Sequence, residues 1–140
     1  MVQAVRTVLA GLGLPKIAAA EIRVRRRFER DGHDTAPSVI VVGELEEVEE
    51  DESSGLSLFV YGVLVGLLSP RDNTTDWAQW EKDTRQMIRN ALDVGKLAGA
   101  PTVCNGDYEP QPAVNLASWA ENFEVVVQRF RYWSDEGRNA

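Results

Sequence analysis

The chain has 140 residues, 44% of them hydrophobic and 26% charged, with a formal net charge of −7 and a pI near 4.7. That length and composition give a single domain, residues 1–140, with a sizeable core, and they exclude a disordered chain. The acidity argues against a general nucleic-acid binder, whose affinity comes from neutralising phosphates, and no apolar run in the sequence is long enough for a membrane-spanning helix.

The first element is a short helix over Val2–Leu12, with Val2, Val5, Val8, Leu9 and Leu12 on one apolar face and Gly11, Gly13 and Pro15 ending it. The same stretch superficially resembles a signal peptide, but its only early positive side chain, Arg6, lies inside the apolar run, which favours the helix. Residues Ala20–Glu29 read as a strand, with Ile22, Val24, Arg26 and Phe28 on one face and Arg23, Arg25 and Arg27 on the other. Pro37 precedes a second, buried strand at Ser38–Val42. The acidic segment from Glu44 to Glu52 then reads as a solvated connection.

A third strand follows over Leu56–Leu68, apolar on both faces and therefore central to the sheet. Gly62 and Gly66 share one of its faces and leave room for close packing, most simply by a helix. Asp76 caps the next helix, with Gln79 in the position of a capping-box partner. Trp77, Trp80, Thr84, Met87, Ile88, Ala91 and Leu92 give it an apolar face that runs on to Gly95. A short strand at Thr102–Cys104 leads into a loop holding Pro110 and Pro112. The last strand spans Asn122–Trp133, where the alternation shifts face, as a bulge or a strong twist would explain. The sum is an α+β fold, a mostly antiparallel sheet of four to five strands packed against an N-terminal helix and a central helix.

The charges are unevenly placed. Arg23, Arg25, Arg26, Arg27 and Arg30 are followed by Glu44, Glu46, Glu47, Glu49, Glu50, Asp51 and Glu52, and without those seven carboxylates the rest of the chain is neutral. Such a layout suggests complementary surfaces between copies and points to assembly rather than chemistry.

Catalytic signals are weak beside it. His33, the only histidine, sits in a turn between Asp31 and Asp34 without a second histidine or a cysteine spaced to help, so it reads as an exposed turn residue. Cys104, the only cysteine, has no intrachain disulfide partner and reads as a buried thiol. Asn105, Asp107 and Glu109 resemble a nuclease carboxylate pair, but Pro110, Gln111 and Pro112 stand where a lysine is needed. The acidic segment lacks the glycine-centred alternation of a calcium loop, and Gly11-Leu12-Gly13 follows a helix rather than the strand a phosphate loop needs. Trp77 and Trp80 read as core or interface anchors before stacking platforms. No catalytic, cofactor-binding or metal-binding residue is assigned, and the chain reads as a non-enzyme.

With these elements in order, the chain resembles the tail terminator or tail-completion (head–tail joining) proteins of long-tailed bacteriophages. The resemblance lies in the N-terminal helix, the strand ending Ala36-Pro37-Ser38-Val39-Ile40-Val41-Val42 and the Leu58–Leu68 strand. It continues in the helix bearing Trp77-Ala78-Gln79-Trp80-Glu81 and Ile88-Arg89-Asn90-Ala91-Leu92, and in the final strand Phe123–Tyr132. It implies a structural virion protein forming a homo-oligomeric ring, expected to be a hexamer, at the head-proximal end of the tail. The implied partners are the tail tube protein and the head–tail connector protein, with genomic double-stranded DNA passing through the lumen, no cofactor and no membrane. The implied location is the virion tail or neck, and the host cytoplasm during assembly. In that setting Arg23, Arg25, Arg27, Arg30, Glu46, Glu47, Glu49 and Glu50 are expected at a subunit boundary or on the lumen wall. Trp77 and Trp80 are expected to be buried helix anchors. The alternative reading is a small nucleic-acid-binding or processing protein that uses the Arg23–Arg30 strand.

Overall fold

The computed structural model of the chain describes residues 1–30, 32, 34–51, 56–71, 76–94, 97, 104–112, 114–117, 119 and 123–134. At 45–51, 56–59, 104–107 and 133–134 it describes the backbone alone. Among the described residues, two α-helices, α1 (Val2–Gly11) and α2 (Trp77–Leu92), accompany five strands: β1 (Ile22–Arg25), β2 (Ser38–Asp51), β3 (Leu56–Pro70), β4 (Cys104–Glu109) and β5 (Phe123–Ser134). The strands form one sheet in the order β1-β2-β3-β5-β4. Only β1 and β2 run parallel; the other three pairings are antiparallel. The α+β, mostly antiparallel architecture read from the sequence is the one the chain adopts. No helix among the described residues is long and apolar enough to cross a membrane.

β3 is central because both its faces are apolar and both its edges are paired. Val63, Val65 and Leu67 point into a core shared with Val39 and Val41 of β2, Phe130 and Tyr132 of β5, Val5 and Leu9 of α1, and Trp80, Ile88 and Leu92 of α2. Leu64 and Leu68 point the other way, to Ile40, Val42, Phe123, Val127 and the fully buried Trp119. Helices cover the first face; the segments around Phe28, Ala36, Val114, Leu116 and Trp119 cover part of the second. α2 starts as expected, the Asp76 carboxylate accepting from the Gln79 amide at 3.2 Å. Trp80, Thr84, Ile88 and Leu92, one turn apart, are its buried stripe.

Four expectations need correction. The acidic segment is not a solvated connection but the second half of β2, in register with β3 from Glu44↔Gly62 to Val48↔Leu58 and at Asp51↔Leu56 after an irregularity. β3 also pairs with β5 as far as Phe59↔Ser134, so its other edge there needs a partner for its own N–H and C=O groups, and the acidic residues supply the backbone. The arginine strand is shorter than read: β1 stops at Arg25, and residues 26–30 turn off the sheet.

Thr102 and Val103 of the short strand before the proline loop lie outside the described residues, but the strand continues past Cys104 to Glu109, so Asn105, Asp107 and Glu109 lie in β4 rather than in a loop. Finally, β5 has no bulge against β3; the irregularity lies in the β4–β5 pairing, between Asn105 and Asp107. The apparent change of face in β5 arises because its odd-numbered residues meet the second core early in the strand, while Phe130 and Tyr132 meet the first core late in it.

The glycines are used differently from the expectation as well. A Cβ at Gly66 would enter the ring of Phe28, so an aromatic side chain, not a helix, fills the space there. The close helix approach is at Gly43, where a Cβ would meet the Val2 side chain of α1.

Candidate functional site

Asp34 organises the arginine-rich region. Its side chain is 1% exposed and accepts a two-pronged hydrogen bond from Arg25, Nη1 to Oδ2 at 2.8 Å and Nη2 to Oδ1. Arg25 Nη1 also donates to the Glu29 carbonyl at 3.0 Å, and Arg23 Nη1 lies 3.6 Å from Asp34 Oδ1. Two planar N–H···O bonds fit a guanidinium to a carboxylate better than any other pairing. Arg23 and Arg25 are therefore engaged within the chain, tying the end of β1 to the segment that leads into β2.

Arg26, Arg27 and Arg30 come after β1 has ended. Arg26 and Arg27 are exposed, and the Arg27–Glu29 pair is 3.9 Å long with side chains 80% and 73% exposed, a geometry that contributes little. The Arg30 guanidinium lies 5.5 Å from the Phe123 ring centre. Between them Phe28 turns inward over Gly66 and against Trp119, ring centres 5.4 Å apart. The result is a hollow of about 510 Å³ lined by Arg25, Arg26, Arg27, Glu29 and Arg30. Four arginines and one glutamate line it, and with Arg25 already paired to Asp34 the exposed rim is carried by Arg26 and Arg27.

Glu46, Glu47, Glu49 and Glu50 lie on β2 past the residues paired with β1, which are Val39–Val42 only. Where β1 ends, a second cleft of about 490 Å³ opens beside β2, along an edge that no other described strand pairs, lined among others by Met1, Val2, Val24, Arg26, Glu44 and Tyr61. Across the sheet Arg129 of β5 bridges two strands, Nη1 at 3.0 Å from Glu109 and Nε at 3.8 Å from Glu44. Gly62, between Glu44 and Arg131 in the register, leaves that crossing unobstructed.

Trp80 is buried, its indole N–H donating to the Pro15 carbonyl at 2.7 Å. Trp77 packs edge-on against it, ring centres 5.1 Å apart, but remains half-buried beneath the Lys16 ammonium at 5.8 Å. The pair thus divides, one indole in the core and one at the surface. Tyr132 donates its O–H to the Leu92 carbonyl at the end of α2; burial holds its phenol well above the ordinary range, and the Asp93 carboxylate acts in the same direction.

Of the remaining candidates, His33 lies outside the described residues, as do the side chains of Cys104 and Asp107. Glu109 is bound to Arg129. Sequence reading missed Asp34 as the partner of the arginines and Arg129 as a bridge. A usable signal for the second was parity, since Arg129 sits two residues after the core residue Val127 on the same strand face. Compared with known protein families and with characterised proteins, the sequence matches none.

Proposed function

We propose that this chain is a non-enzymatic structural protein of a bacteriophage virion, forming a ring at the head-proximal end of the tail and joining the tail tube to the head connector. Its work is geometric. A ring that covers the end of a tube and presents no further tube-like surface stops open-ended growth.

The observation that supports this reading is the placement of charge on the sheet. One strand runs nine residues beyond its parallel neighbour and carries most of the chain's acidic excess, while the arginines cluster at the start of that run, where β1 stops. Two different patches of opposite sign favour head-to-tail contacts, and head-to-tail contacts that close make rings.

The test is the native mass of the purified protein, with electron microscopy of the protein alone and after mixing with tail tubes. A closed ring that caps tube ends and halts their elongation is the expected result. A monomer at every concentration, with tubes and without, would sink the reading.

A further inference from the structure

We infer that the acidic half of β2 is a docking arm for a second copy of this chain, received in that copy's arginine hollow. The inference rests on the ring reading and specifies which surfaces meet. At about 3.3 Å per residue, Asp51 lies roughly 30 Å beyond Val42, the last β2 residue paired with β1. The hollow sits at the other end of that interval. Its segment folds back over the sheet so that Phe28 covers Gly66, which pairs with Ile40. Glu44, at the base of the arm, lines a cleft with Arg26 of its own chain, but from there β2 runs on away from the hollow, so the stretch from Glu46 to Asp51 is carried towards the hollow of another copy.

Charge decides between this and the other available contact. Both outer edges of the sheet could in principle join copies strand to strand, β4 of one against the projecting part of β2 of the next. That would place a strand carrying Asp107 and Glu109 beside one carrying Glu46, Glu47, Glu49 and Glu50, adding like charge to like. A strand edge carrying that much negative charge is protected against pairing with itself and open to a cationic partner. Within the hollow Arg25 is committed to Asp34, so Arg26 and Arg27, exposed at its rim, are the groups that meet the arm. Arg27 gives up only its 3.9 Å exposed contact with Glu29 to do so.

The experiment is a charge swap read by native mass. One variant reverses the arm (Glu46→Lys, Glu47→Lys, Glu49→Lys, Glu50→Lys) and the other reverses the rim (Arg26→Glu, Arg27→Glu), with circular dichroism checking that each is folded. Each alone should weaken assembly about tenfold or more at low salt. Mixed in equal amounts they should assemble again, because a lysine arm fits a glutamate rim and an acidic arm fits an arginine rim. Both variants assembling like the parent, or a folded mixture that stays apart, would overturn the inference and leave the ring reading standing. A parent protein that is monomeric throughout would overturn both.

Discussion

Asp34 offers the most direct test of how the arginine segment is held. Asp34→Ala removes a carboxylate that is 1% exposed and leaves Arg25, itself 17% exposed, without its two-pronged partner. Breaking a fully buried ion pair costs about 3–5 kcal/mol, largely because the surviving charge stays desolvated. Arg25 retains some access to solvent and Arg23, 34% exposed, can turn outward, so the expected cost is nearer ~2–4 kcal/mol. With a urea m-value of about 2 kcal/mol/M, the unfolding midpoint should fall by roughly 1–2 M.

The double variant Arg25→Met with Asp34→Leu removes both charges and leaves neither stranded. It should lie within about 1 kcal/mol of the parent, giving a large favourable coupling in the mutant cycle. Urea unfolding followed by tryptophan fluorescence measures the parent, the single variants Arg25→Met and Asp34→Leu, and the double variant, with Asp34→Ala beside them. A loss below about 1 kcal/mol for Asp34→Ala, or a double variant as damaged as the sum of the singles, would refute the account.

Three further outcomes follow from the packing. Gly66→Ala should destabilise by about 1–3 kcal/mol because the new methyl group enters the Phe28 ring, and a smaller residue at 28 should recover part of that loss in thermal unfolding. Trp80→Ala should cost about 3–5 kcal/mol, and Trp77→Ala no more than about half as much, since only Trp80 is in the core; equal losses in denaturant titrations would contradict the division. Tyr132 has a folded pKa raised above its unfolded value, so its contribution is complete below pH ~10 and is lost as pH rises further, when the unfolded chain releases the phenolic proton first. Stability should fall more steeply above that pH in the parent than in Tyr132→Phe, and identical slopes would disprove the assignment.

The sequence shows the centre of this fold better than its margins. The apolar pattern of Leu58–Leu68 identifies β3 as a strand buried on both faces, and the spacing from Trp77 to Leu92 with Asp76 ahead of it identifies the start and the buried stripe of α2, which ends at Leu92 short of the expected Gly95. Both patterns record direct contact with the core. The acidic half of β2 carries no such pattern: its run of carboxylates reads as a loop, while its conformation is set by the backbone groups of β3 that need pairing.

The arginine region failed for a related reason. Alternation suggested a strand to Glu29, but Phe28 and Asp34 draw the chain off the sheet after Arg25, and neither contact is local in sequence pattern. Charge excess located the candidate surface. Only the three-dimensional arrangement separated the arginines engaged within the subunit from those at the rim.

Segment 26–30 has two sides, and each serves a different master. Its arginines look outward at the hollow, while Phe28 between them closes the second core over the central strand. Whatever grips the outside therefore restrains the inside, and by thermodynamic reciprocity whatever loosens the inside weakens the grip. A subunit held at this segment gains stability with partner concentration, roughly RT ln(1 + [L]/Kd). An incompletely folded copy presents the same arginines without their spacing. On the ring reading proposed above, the segment would act as a gauge of folding, admitting to the assembly only those copies whose interior has already closed.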